Sequence, residues 1–396
     1  MNDPIVIVAA VRTPIGAFQG NLRSASAPEL GAAAIRAAVE RAQLQPADIE
    51  EVIMGNVLPA GLGQAPARQA ALGAGLPLAA GCTTINKVCG SGMKAAMLAH
   101  DMLLAGANRV MVAGGMESMS NAPYLLAKAR GGMRMGHGEI KDHMFMDGLE
   151  DAYERGRLMG SFAELCADKY RLSREEQDRY AVTSLTRAQA AIKDGSFAKE
   201  VVPFVVTTPK GGVTIATDEH PQKADIGKIP SLKPAFRADG SVTAANSSAI
   251  ADGAAALVLM RRSDAESRGI RPLALIKAHA THAQDPSWFS TAPVMAMNKL
   301  FEKTGWSAND VDLYEINEAF AVVALAAMHD LGLPHEKVNI HGGACALGHP
   351  IGASGARIVV TLLAALEKYG FRRGIASLCI GGGEATALAV ERIDGR

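Results

Sequence analysis

The sequence predicts an α/β protein built from two copies of one strand-and-helix unit, with a long insertion carried by the first copy. Three observations predict it. Short apolar runs alternate with segments at helical spacing, which calls for a mainly parallel sheet with helices on both faces. The programme then restarts near residue 270: Asp48 and Asp310 lie 262 residues apart, and Gly90-Ser91-Gly92 recurs 263 residues on as Ala353-Ser354-Gly355. Ordered matches at nearly one offset imply an internal duplication. Between the copies, over roughly 119–249, glycine- and methionine-rich sequence and a charged helix replace the alternation.

In chain order, residues 4–10 (Pro-Ile-Val-Ile-Val-Ala-Ala) read as a buried strand, and residues 27–42 as a helix with Leu30, Ala34, Ala38 and Val39 on one face. Residues 48–57 read as a strand running into a loop. A helix follows Cys89, then a strand at 109–113 and a turn at Gly114-Gly115-Met116-Glu117-Ser118. The insertion opens with Gly131-Gly132-Met133-Arg134-Met135-Gly136 and continues into a helix over 173–194, with Ser173 and Glu176 spaced as a capping box. The second copy reads as a strand at 273–278, a helix at 294–304, the run Asp310 to Asn317, a helix at 356–368 and a strand at 375–380. Gly381-Gly382-Gly383-Glu384 then echoes Gly114 to Glu117. The division expected is 1–118 with 250–271 for the first half, 119–249 for the insertion and 272–396 for the second half.

Composition narrows the function. Lys+Arg and Asp+Glu both number 40, a balance that argues against a general nucleic-acid or anionic-membrane partner. The five cysteines, Cys82, Cys89, Cys166, Cys345 and Cys379, show neither metal-ligand spacing nor a disulfide ladder, so reduced thiols are expected. No secretory or transit pattern opens the chain, no apolar run approaches the roughly 18 residues of a membrane span, and Asp394-Gly395-Arg396 is not a peroxisomal tripeptide. A cytoplasmic protein is expected.

The chemistry gathers on Asn86-Lys87-Val88-Cys89-Gly90-Ser91-Gly92. A thiol just before a helix meets unpaired N–H groups and the positive end of the dipole, which favours thiolate over the usual pKa of about 8.5. A buried structural cysteine beside a tight turn reads equally well from this stretch alone. Placing the halves back to back sets three segments of the second half opposite Cys89: Asn317-Glu318-Ala319-Phe320, Gly348-His349-Pro350 and Cys379-Ile380-Gly381-Gly382-Gly383. Singly, each has a plain structural use: Asn317 as a cap on a helix starting at Glu318, His349 in a turn, Cys379 as a core thiol. Together they supply a nucleophile, a base, unpaired backbone donors for an oxyanion and a second proton-transfer group. A second thiol makes little sense in a hydrolase.

These blocks, with Gly342-Gly-Ala-Cys-Ala-Leu-Gly-His-Pro-Ile-Gly-Ala-Ser-Gly, resemble the motifs of the thiolase family over essentially the whole chain, most closely its short-chain acetyl-CoA acetyltransferase branch. The resemblance implies a five-layered αβαβα sandwich of two duplicated halves with an inserted loop domain. It implies reversible condensation of two acetyl-CoA to acetoacetyl-CoA, and thiolysis of short 3-ketoacyl-CoA, through an acyl-cysteine. By the same resemblance Cys89 is the nucleophile and His349 activates it. Cys379 moves the α-proton, Asn317 holds an oxyanion-hole water, and the Cys89 and Gly381 amides form the other hole. Met159, Phe236, Ser248, Ala319 and Phe320 match positions that line the pantetheine tunnel or grip coenzyme A. A homotetramer tied by residues 121–147 is implied, with no required cofactor and no metal. Phe289 and Ala244-Ala245 resemble a branch that binds potassium, but Leu185 replaces its tyrosine. Leu158, His341 and Glu384 depart from the usual pattern. A ketoacyl synthase, which shares the fold, is disfavoured by Cys379. An inert lipid carrier is disfavoured by the joint presence of Cys89, Asn317, His349 and Cys379.

Overall fold

The run Ile5 to Arg12 forms β1 (Ile5–Arg12), which is buried almost throughout, as its unbroken apolar sequence requires of a strand covered on both faces. The computed structural model describes residues 3–209 and 211–393; the C-terminal tripeptide 394–396 lies outside them. Ser26 accepts from the Glu29 N–H and Glu29 answers to the Ser26 N–H, a capping box that starts α1 (Ala27–Arg41). Next come β2 (Glu51–Gly55), α2 (Pro66–Gly73), β3 (Gly81–Ile85), α3 (Ser91–Ala105) and β4 (Val110–Ser118). The chain then leaves the sheet through α4 (Met159–Tyr170) and α5 (Arg174–Lys193), the latter capped by Ser173 and Glu176 as the sequence suggests, and returns as β5 (Ala251–Arg261). The second half runs β6 (Ala274–Ala283), α6 (Ala292–Thr304), β7 (Leu313–Ile316), α7 (Ala321–Leu331), α8 (Ile351–Tyr369), β8 (Arg373–Ile380) and β9 (Glu384–Arg392).

These strands form one path, β7-β8-β9-β6-β1-β5-β4-β2-β3. Its halves meet between β1 and β6, at Val6–Leu275 and Ile7–Ala274. Strand order in the first half, β1-β5-β4-β2, repeats in the second as β6-β9-β8-β7, so the duplication holds strand for strand. The matched aspartates also do one job. Asp48 accepts the Gln45 N–H at 2.8 Å and Asp310 the Ser307 N–H at 2.8 Å, each closing a single 3₁₀ turn ahead of β2 or β7.

Several expectations are corrected. The sheet is mixed: only β2–β3, β2–β4 and β7–β8 are parallel, and the remaining neighbours along the path are antiparallel. The reason in the second half is the three-residue connection Gly381–Gly383, which can only join antiparallel neighbours. Residues 114–118 are no turn. They continue β4, which pairs with β5 in unbroken register from Val110–Met260 to Ser118–Asp252. The echo with Gly381 to Glu384 is therefore one of composition, and the glycine hairpin of the second half occupies the place where the first half leaves for its insertion. The strand read at 48–57 is shorter because Asp48 belongs to the 3₁₀ turn. Helix α7 begins at Ala321, so Asn317 does not cap it.

Three apolar cores separate five layers. One joins α1 and α2 to the first half's strands, a second surrounds α3 and α8 between the halves, and a third joins α6 and α7 to the second half's strands. Helix α8 has no polar face because fifteen of its nineteen residues are buried. The repeated small-residue motif is what lets α3 and α8 touch. A side chain at Gly355 would meet the Met93 nitrogen at 2.4 Å, and one at Gly92 the Ala356 nitrogen at 2.8 Å. These two glycines therefore serve helix packing, and not the approach of a substrate. No helix among the described residues is long and apolar enough to cross a membrane.

Candidate active site

Strand β3 delivers the chain to the nucleophile's turn. Val88 there takes φ +46°, a left-handed conformation that costs a β-branched residue about 1–3 kcal/mol. Side chains hold it. Asn86 Oδ1 accepts the Val88 N–H at 2.8 Å, while Ser91 Oγ accepts the Lys87 N–H at 2.8 Å and donates to the Val88 carbonyl at 2.7 Å. Gly90 is the N-cap of α3, so Cys89 sits one residue outside the helix. The backbone N–H groups of Gly381 and of Cys89 itself, which the resemblance assigns to an oxyanion, lie close enough to the sulfur to favour its charged form. The expected thiolate is not the resting form. Burial pushes the Cys89 thiol up to about 11, outweighing those two amides, and the buried Glu117 carboxylate adds to the rise.

His349 lies buried ahead of α8. Its Nδ1 is 2.5 Å from Ser354 Oγ, and that hydroxyl donates its own hydrogen to the Pro350 carbonyl at 2.9 Å. Ser354 must therefore accept from Nδ1–H, which leaves Nε2 with a lone pair. Nε2 is buried and has no partner among the described residues. Burial, then the positive Arg357, hold the imidazole down at about 3. The ring is thus a neutral base. Cys89 packs against the apolar cluster that contains Ile351, two residues beyond His349.

Asn317 and Cys379 are fixed by adjacent strands. The Asn317 N–H donates to the Ser377 carbonyl at 3.0 Å, two residues before Cys379. Arg357 Nη2 donates to Asn317 Oδ1 at 3.2 Å, which orients the amide and leaves Nδ2 a buried donor without a partner among the described residues. Cys379 is fully buried, and its thiol is held well above the ordinary value, first by burial and then by the nearby Cys89. Beyond it the chain reverses through Gly382 and Gly383 at φ +91° and +86°, carrying the Gly381 N–H to Cys89. Lys87 and Glu384 form an ion pair across the same gap, joining the nucleophile's turn to the residue after the glycines.

The coenzyme A residues that the resemblance implies line two adjoining surfaces. Met159 lines a cavity of about 450 Å³ together with Val88, Gly381 and Gly382, next to the thiol. Phe236, Ser248, Ala319 and Phe320 are not part of that wall. They form an apolar shelf against which Met159 also packs, in which Phe320 meets Phe236 edge-on at 6.0 Å and Phe289 at 6.3 Å, and the Ser248 N–H donates to the Ala319 carbonyl at 2.9 Å. A further cavity of about 460 Å³, beside Arg41 and Arg271, touches none of these residues. Leu158 is the N-cap of α4 and offers no side-chain hydrogen bond there.

Two residues that hold the site together are not singled out by sequence reasoning. Glu117, fully buried in β4, accepts the N–H groups of Val57 (3.0 Å), Leu58 (3.1 Å) and, from the other half, Gly352 (2.8 Å). Burial raises it to about 7 despite those donors. Glu318 accepts from Tyr180 (2.9 Å) and Ser184 (2.7 Å) on α5 and from Asn339 (2.9 Å) and the Cys345 N–H (3.0 Å), binding the inserted segment to the second half. An acidic residue inside an otherwise apolar strand is the signal that marks Glu117.

Residues 5–263 match the family model described as thiolase, N-terminal domain, and residues 270–392 that described as thiolase, C-terminal domain. Acetyl-CoA acetyltransferase 1 of Arabidopsis thaliana is 52% identical over 390 residues, covering 98% of this chain and 94% of the relative. The acetyl-CoA acetyltransferase of Cupriavidus necator is 50% identical over 390 residues (98% and 99%), and that of Schizosaccharomyces pombe 47% over 395 residues (99% and 100%). With both domain models matched in order and the duplicated halves meeting at Cys89, the chain belongs to the thiolase family.

Proposed function

We propose that this chain is an acetyl-CoA C-acetyltransferase, which interconverts two acetyl-CoA with acetoacetyl-CoA plus coenzyme A. The observation that carries the reading is the meeting of the nucleophile's turn with the glycine turn of the opposite half: Val88 and Gly381 line one cavity, and the Cys89 and Gly381 N–H groups favour a charged sulfur. In thiolysis, His349 Nε2 takes the Cys89 proton as the sulfur attacks the 3-keto carbon, and the two amides receive the oxyanion. The C2–C3 bond breaks, leaving acyl-Cys89 and an acetyl-CoA enolate. Protonated His349 and a water on Asn317 Nδ2 support the enolate oxygen, and the Cys379 thiol protonates its carbon. Coenzyme A then gives its thiol proton to the Cys379 thiolate and attacks acyl-Cys89. The departing Cys89 sulfur recovers its proton from His349, and both thiols return to the protonated form that their burial favours. Condensation is the reverse.

The apolar shelf of Phe236, Phe289 and Phe320 supports a thioester-bearing substrate of short acyl length. The exposed Met133, Met135 and Ile140 support a homotetramer joined through residues 121–147. We place the enzyme in the cytoplasm and assign it no required cofactor. Leu185 lines a small cavity together with Ala244 and Ala245, the place where a potassium ion would be held were one used. Steady-state thiolysis of acetoacetyl-CoA, longer 3-ketoacyl-CoA and 2-methylacetoacetyl-CoA tests the proposal. Acetoacetyl-CoA should give two acetyl-CoA per turnover, and failure to cleave it with coenzyme A present overturns the proposal.

A further inference from the structure

Away from the thiols, helix α3 and strand β6 bring two imidazoles and a carboxylate to one point. His100 Nδ1 lies 3.0 Å from Asp101 Oδ1, and His279 Nε2 lies 2.8 Å from the same oxygen. The ligand atoms of all three residues lie within 4.8 Å of one another, and the two rings meet edge-on at 5.0 Å. We propose that His100, Asp101 and His279 bind one divalent transition-metal ion of the zinc, cobalt or nickel class, fastening α3 of the first half to β6 of the second.

The donor set selects the class of ion. Two imidazoles and a carboxylate suit borderline transition metals, whereas magnesium and calcium call for oxygen ligands throughout. Zinc bonds of about 2.0–2.2 Å in a tetrahedron place neighbouring ligand atoms about 3.4 Å apart. To admit the ion the two imidazole–carboxylate contacts, at 3.0 and 2.8 Å, would open by about half an ångström, and the two imidazole nitrogens, within 4.8 Å of each other, would draw in by about 1 Å, which side-chain rotation at this partly exposed site allows. Access is also suitable: the imidazole side chains are 12% and 17% exposed, while Asp101 is 54% exposed, so the rings are held by the fold and the carboxylate faces solvent. The opposing charge is Lys303, whose ammonium is engaged at 2.8 Å with the His279 carbonyl. Asp101 lies about 15 Å along α3 from its first residue, Ser91. The ion would therefore brace the helix that follows Cys89 without meeting a substrate.

Calorimetric titration of the full chain, stripped with chelator and then given zinc chloride, tests the site. One equivalent should bind the parent and the Cys89→Ala and Cys379→Ala variants. Loss of a ligand should weaken binding by at least the roughly 10–100-fold typical of losing an outer-shell partner, so Asp101→Asn and His279→Asn should fall by that factor or more. Zinc should raise the thermal midpoint of the parent and leave those variants unmoved. Cobalt(II) in the parent should show visible ligand-field bands without thiolate charge transfer, a readout that stands even where a variant does not fold. The proposal is overturned by zinc uptake in the parent no greater than in His100→Gln/His279→Asn, which would make the triad a hydrogen-bonded clasp alone. A thiolate band, or an equivalent that disappears with Cys89, overturns it as well.

Discussion

Ser354 is the residue whose removal most sharply tests how the base is prepared. Its hydroxyl is the acceptor for His349 Nδ1–H because its own hydrogen is committed to the Pro350 carbonyl. Ser354→Ala leaves a buried N–H unsatisfied, at about 1–3 kcal/mol. The ring can escape that cost only by moving its proton to Nε2, where it no longer serves as a base. The Nε2-basic tautomer should therefore fall by roughly 5- to 150-fold, and the acylation rate of Cys89 with it. Rapid-quench measurement of a single acylation turnover reads this rate directly, with an unfolding midpoint taken alongside. In a His349→Ala background the Ser354 effect on acylation should vanish, because the two residues act as one unit. A Ser354→Ala protein that acylates at the parent rate refutes the tautomer argument.

Further outcomes follow from the same geometry. Cys379→Ala should still acylate Cys89 while deuterium exchange at the acetyl methyl of acetyl-CoA falls by about 10²–10⁴-fold, the usual contribution of a general acid or base; exchange at the parent rate would pass that role to His349. Asn317→Ala removes the unpaired Nδ2 donor and should lower kcat by about 10²–10³-fold with KM little changed, as for other oxyanion-hole donors; an effect confined to KM would count against it. The histidine contribution to stability should fall as pH drops below 6.5. His349 and His341 are held down in the folded state at about 3 and about 4, so the stability they contribute is present above their unfolded value of 6.5 and is lost as pH falls through that window. Glu117 and Glu315 act in the opposite sense: raised to about 7 and about 8, they contribute below 4.5 and lose that contribution as pH rises through 7 to 8. Because the two pairs oppose each other, urea unfolding at pH 5 and pH 7 should show a change on acidification that is less unfavourable in His341→Asn than in the parent, and equal changes would remove His341 from the account.

Much of this architecture is legible because the duplication is written in residue types with a physical job. Asp48 and Asp310 cap matching 3₁₀ turns, and Gly92 and Gly355 permit one helix crossing, so their spacing survives in the sequence. Strand direction is not legible in that way. A buried apolar run reads alike in either direction, and the mixed sheet follows from where the connections go, as the Gly381–Gly383 hairpin shows. The chemistry-bearing side chains are visible as types, yet their protonation is not. Proximity to a helix start suggests a thiolate at Cys89, whereas burial outweighs two amide donors and leaves a thiol, a balance set by residues far away in sequence. Ser354 stands in plain view inside a repeated motif, and its second role toward His349 appears only once Pro350 claims its hydrogen.

The central claim is that Cys89 carries the acyl group. Peptide mass spectrometry after brief exposure to acetyl-CoA and acid quench addresses it most directly. The account predicts acetylation on the Cys89 peptide in the parent and in Cys379→Ala, and none in Cys89→Ala. An acetyl group found on Cys379 alone, or no adduct in an enzyme that still turns over acetoacetyl-CoA, would contradict it.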